Sequence, residues 1–95
     1  MNYIGFFEFC PEDFGKVIEK FRQAMAEREK EPEKFPKILF GPVSMGGEWK
    51  GFVLYENATP EQIMNVVIHY EPEMTYKFVP LLEATKLIEL YLKKK

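Results

Sequence analysis

An α+β domain built on an antiparallel sheet is predicted by three features of the chain. Four short apolar segments and three helical patterns follow one another in the order β-α-β-β-α-β-α. Prolines close the segments at their ends, and none falls inside the first or the third strand. The length of 95 residues leaves room for one hydrophobic core, so residues 1–95 are read as a single domain.

Each element has a local cause. The first strand, "YIGFFEF" (Tyr3 to Phe9), is short and aromatic and is stopped by Cys10-Pro11. Pro11 suits the first position of a helix, where its missing N–H costs nothing. Glu12 and Asp13 favour the positive end of the helix dipole. Phe14, Val17, Ile18, Phe21 and Met25 then recur at helical spacing, predicting a helix from about Pro11 to Lys30. Pro32 and Pro36 frame a linker. The second strand, "KILFGPV", and the third, "WKGFVLYE", are joined by a turn whose Gly46-Gly47 supplies positive φ. Thr59, Pro60 and Gln62 spell an N-cap, a first helical residue and a capping box. That helix carries Ile63, Val66, Val67 and Tyr70 inward and stops before Pro72. The fourth strand is "TYKFV", and a last helix spans about residues 81–95.

This order is the split βαβ, or ferredoxin-like βαββαβ, arrangement, with two helices on one face of the sheet and a C-terminal helix added. Strands one and three are then central and two and four are edges, as the proline positions require. An antiparallel sheet with one wet face should alternate apolar and polar residues. Strands one and three do not: Ile4 and Phe6 stand on one side, Tyr3, Phe7 and Phe9 on the other, and Val53 and Tyr55 answer Phe52 and Leu54. Both faces are therefore expected to be covered. The cover is a second copy, the last helix, or RNA on an open aromatic face.

Composition excludes several classes. The net charge of −2 does not suit a polyanion binder. Lys50-Gly51-Phe52 begins like the third-strand signature of an RNA-recognition motif, but Val53, Leu54 and Asn57 stand where a small residue and two aromatics are needed. No nucleic-acid partner is expected. Cys10 is the only cysteine, so neither a disulfide nor a cysteine zinc cluster forms within the chain. A reducing, cytoplasmic setting fits. No basic n-region or membrane-length apolar run is present, so no leader and no membrane partner are expected. No metal or cofactor motif appears.

The landmarks Tyr3 to Pro11, "FVLYE" followed by a proline-started helix, Tyr70, and "KFVPLL" resemble a small prokaryotic domain family of unknown function. That family is placed with the dimeric α/β-barrels. Tyr70 stands where it usually has Trp, and Phe7 where it has a polar residue. The resemblance implies a homodimer with a cavity between two sheets. Its wider superfamily includes cofactor-independent monooxygenases, isomerases and ligand-sensing domains.

The candidate site residues follow. Tyr3, Phe7, Phe9, Val53 and Tyr55 are assigned to the second sheet face, as a ligand pocket with phenol groups or as a dimer core. Lys77 greets an anionic ligand or protects an edge strand from pairing. Glu8 and Tyr55 are the polar groups an enzyme could use. Glu8 and Glu56 cannot form a carboxylate pair, because antiparallel central strands place them roughly 20 Å apart. His69 shares a helical side with Gln62 and Asn65 and is expected to be solvated. Trp49 reads as a rim anchor or a packed strand end, and Cys10 as an inert small hydrophobe. The expected function is a homodimeric small-molecule binding or sensing domain with an apolar cavity for a small apolar or aromatic ligand. The alternatives are a cofactor-independent enzyme and a purely structural interaction domain.

Overall fold

The computed structural model describes residues 1–94. The chain forms β1 (Tyr3–Phe9), a 3₁₀ turn (Pro11–Asp13), α1 (Phe14–Lys30), β2 (Lys37–Ser44), β3 (Lys50–Glu56), α2 (Pro60–Tyr70), β4 (Met74–Pro80) and α3 (Ala84–Lys93). The strands make one antiparallel sheet in the order β2-β3-β1-β4. The proline-free strands β1 and β3 are the central pair, since each donates to ladders on both sides.

The start of the first helix is tighter than predicted. Cys10 is extended, and Pro11–Asp13 form a 3₁₀ turn before α1 proper. The capping box of α2 is complete: Gln62 N–H donates to Thr59 Oγ1 at 3.2 Å, and Thr59 N–H donates to Gln62 Oε1 at 3.0 Å. The last helix starts at Ala84, three residues later than its sequence pattern suggested. The Leu81 N–H donates to the Asn2 carbonyl at 2.8 Å, which holds the chain extended past the end of β4. Lys95, the last residue of that predicted helix, lies outside the described residues.

The two sheet faces have different neighbours. Phe7, Val53 and Tyr55 pack with Val17 and Ala24 of α1 and Val66 and Tyr70 of α2 in one core. Tyr3 and Phe9 pack against the same core. These five residues therefore face the helices, which corrects their assignment to the second face. The second face carries Ile4, Phe6, Phe52 and Leu54 in cross-strand register, with Phe40 stacked on Phe52 at 6.3 Å. Phe6, Phe40 and Val79 are exposed there.

α3 does not fold over that face, because every one of its residues is exposed, including Leu87, Leu90 and Tyr91. The radius of gyration is 15.5 Å, against about 12 Å for a compact chain of this length.

The outer side of α2 also departs from expectation. Gln62 Nε2 donates to the Glu33 carbonyl at 3.0 Å and Asn65 Nδ2 to the Lys34 carbonyl at 2.8 Å. His69 is half-buried, with Nε2 bonded to the Lys20 carbonyl at 2.6 Å, so this nitrogen carries the proton. The side read as solvated is a row of polar groups that ties α2 to α1 and to the linker. Met64 and Ile68 take the exposed side instead.

Candidate functional site

α1 is amphipathic, but its apolar stripe does not seat fully on the sheet. Phe14, Ile18, Phe21 and Met25 stay partly exposed along one edge. Between this stripe and the sheet lies a cavity of about 230 Å³. α1, β2, the central strands, α2 and β4 all contribute to its wall. Phe9 and Phe14 of the wall form a ring cluster with Trp49, which is edge-on to Phe9 at 5.9 Å and to Phe14 at 5.3 Å. Trp49 is thus a packed strand end, half-exposed beside the cavity.

The polar groups of the cavity are concentrated. Tyr55, Tyr70, Tyr76, Arg28 and Ser44 all line it. The Tyr55 and Tyr76 hydroxyls lie close enough to influence each other's ionisation. The Tyr70 and Tyr76 rings lie 5.7 Å apart. Arg28 projects from the last turns of α1, donates from Nη1 to the Pro36 carbonyl at 2.5 Å, and sits over the Phe35 ring at 5.5 Å. Phe35 is fully buried, so the guanidinium is anchored on a rigid support.

Burial raises the pKa of all three phenols. That of Tyr70 is pushed up to about 12, and those of Tyr55 and Tyr76 also rise, with Arg28 pulling each the other way. Unfolded phenols ionise near pH 10. The tyrosines' contribution to stability is therefore complete below about pH 10 and is lost as the pH rises through about 12. The urea midpoint, followed from pH 8 to 12, should fall steadily above pH 10. A midpoint that stays level to pH 12 contradicts burial of the cluster.

The candidates read from the sequence divide between the faces. Phe7, Phe9, Val53 and Tyr55 line the cavity, and Tyr3 flanks the core beside it. Glu8 is exposed and paired in register with Lys50, on the side opposite Tyr55. Glu8 and Tyr55 therefore do not meet. Glu56 lies at the far end of β3, against Lys37, so no carboxylate pair forms. Lys77 is exposed on edge strand β4 in register with Phe6, away from the cavity. Cys10 is exposed, not packed as a hydrophobe. Among the described residues no cluster of His, Cys, Asp and Glu could hold a metal ion.

Arg28, Tyr70 and Tyr76 were not singled out as pocket groups. The signal for Arg28 was available: it continues the stripe of Phe14, Val17, Phe21 and Ala24 at the next helical step. A cation on an apolar stripe marks a charge that faces inward. Tyr76 shares the β4 parity of Met74 and Phe78, the same inward side.

Comparisons with protein-family models, with curated proteins and with solved structures find no match. The structure therefore carries the resemblance only as far as a small α+β domain with a four-stranded antiparallel sheet and three α-helices. Among the described residues no helix is long and apolar enough to cross a membrane.

Proposed function

We propose that this chain is a homodimeric small-molecule binding domain that holds its ligand between α1 and the sheet. The observation that carries this reading is the cavity itself, with an apolar wall and a cluster of hydroxyls and one guanidinium. Binding sites commonly combine a mostly apolar lining with a few convergent polar groups. A cavity of about 230 Å³ suits a ligand on the order of ten non-hydrogen atoms.

The reading of a proton-abstracting enzyme has less support. Burial keeps Tyr55 protonated through neutral pH, so it serves as a hydrogen-bond donor rather than a base. Glu8 lies on the other face.

The β2-β3-β1-β4 order supports a ferredoxin-like core of the dimeric α/β-barrel kind, with α3 added to it. The open face supports the dimer. Its centre is apolar, from Ile4, Phe6, Phe52 and Leu54, while each end carries both signs, Glu8 with Lys50 and Glu56 with Lys37. A copy related by a two-fold axis meets opposite charges at both ends. A ten-residue helix with no buried residue is marginal in water, so α3 also gains from a surface, and the same second copy supplies one. The lone exposed thiol fits a reducing cytoplasm.

Methyl 1-naphthoate, an uncharged probe of suitable bulk, tests the cavity. Its fluorescence should report a Kd on the order of tens of micromolar. Ala24→Leu, which fills the wall from α1, should weaken binding about tenfold while unfolding stays cooperative. Equal binding by the variant would place the probe elsewhere.

A further inference from the structure

We infer that the ligand is a small organic monocarboxylate whose carboxylate group is received by Arg28 and whose apolar body fills the space under α1. This inference rests on the reading of the cavity as a ligand site and adds the ligand's chemical class.

Arg28 is half-buried at the cavity wall, yet among the described residues no carboxylate lies within ion-pair distance of it. Its immediate neighbour Glu27 is turned to Lys34 at 3.1 Å instead. A half-buried charge without a counter-charge bears part of the cost of leaving water, and a counter-charge in the cavity would offset it. The cost shows in the guanidinium's pKa, which burial lowers.

The guanidinium is also held in place. One N–H is fixed on the Pro36 carbonyl and its face rests near Phe35, while its remaining donors take no partner among the described residues. Such a fork matches the two oxygens of a carboxylate and has lost its rotational freedom in advance. Tyr55 and Tyr70 supply further hydroxyls in the same cavity, kept neutral by burial. Among the described residues Arg28 is the only charged one in the wall, so the charge of the site matches one negative charge rather than a phosphate dianion. Apart from the three phenol hydroxyls and Ser44 the rest of the wall is aliphatic and aromatic, which calls for a largely apolar body.

Three probes of one shape separate the possibilities: 1-naphthoate, methyl 1-naphthoate and 1-naphthylmethylammonium, each titrated into the full chain at neutral pH. The naphthoate should bind at least about tenfold more tightly than the ester, and the ammonium most weakly. Arg28→Gln should bring the naphthoate down to the ester's affinity and leave the ester unchanged. Arg28→Lys, which keeps the charge without the fork, should retain part of the preference. If the ester binds and the naphthoate binds no better, the ligand class is overturned and the cavity reading stands. If no probe binds, both fall. The comparison of probes on the unmodified chain decides the matter even if Arg28→Gln does not fold.

Discussion

Gly51→Ala is expected to destabilise the fold by about 3 kcal/mol or more, the upper end for overpacking a core. Gly51 sits in central strand β3, opposite Phe7 on one side and Ser44 on the other. A Cβ there would stand 1.9 Å from the Val43 carbonyl oxygen and 2.7 Å from Phe7 Cζ. The first of these atoms is backbone and cannot rotate away. β2 shifts register between Phe40 and Val43, and that irregularity brings its main chain over Gly51. Against a total of about 5–15 kcal/mol, the loss should lower the melting temperature by roughly 15 °C or abolish folding. Gly15→Ala is the matched control. Nothing lies within 4 Å of the added carbon in α1, so alanine should stabilise by up to about 1 kcal/mol. Differential scanning calorimetry on both variants checks the pair, and an unchanged melting temperature for Gly51→Ala would refute the close approach of β2. The glycine of Lys50-Gly51-Phe52 thus answers to strand packing.

If the open face seats a second copy as proposed, Phe6→Glu is expected to leave a folded monomer. Phe6 lies at the centre of the open face, between Phe52 and Lys77 in register, and belongs to no part of the core. A central aromatic contact in an interface is worth about 2–4 kcal/mol, so dimer dissociation should rise by roughly 30-fold to 1,000-fold. Light scattering after size exclusion should give twice 11.2 kDa for the parent chain and 11.2 kDa for the variant. The circular dichroism of the two should match. A parent chain that is monomeric at high concentration would remove the second copy as the cover for this face.

The elements were legible because their punctuation is local. Pro11, Pro60 and the Thr59–Gln62 box set two helix starts, and the proline-free strands marked the sheet centre. The side of the sheet that meets the helices was not legible. Strand parity separates two sides but names neither when both are apolar, and β1 is apolar on both. Phe7, Val53 and Tyr55 were grouped correctly as one side and then assigned to the wrong layer. α2 misled for a related reason. Gln62, Asn65 and His69 look solvated on a helical wheel, but their partners are main-chain carbonyls of α1 and the linker, which no side-chain pattern reveals. The cavity depends on how far α1 stands from the sheet, a distance set by packing. Its polar end left one trace, Arg28 on an apolar stripe.

The most direct test of the central claim is to map the binding of methyl 1-naphthoate by amide and methyl chemical shifts in the labelled full chain. The account predicts shifts concentrated at Val17, Ala24, Val53, Tyr55, Tyr70 and Tyr76, all of which line the cavity. Shifts confined to Ile4, Phe6, Phe52 and Leu54 would instead place the ligand on the open face and contradict it.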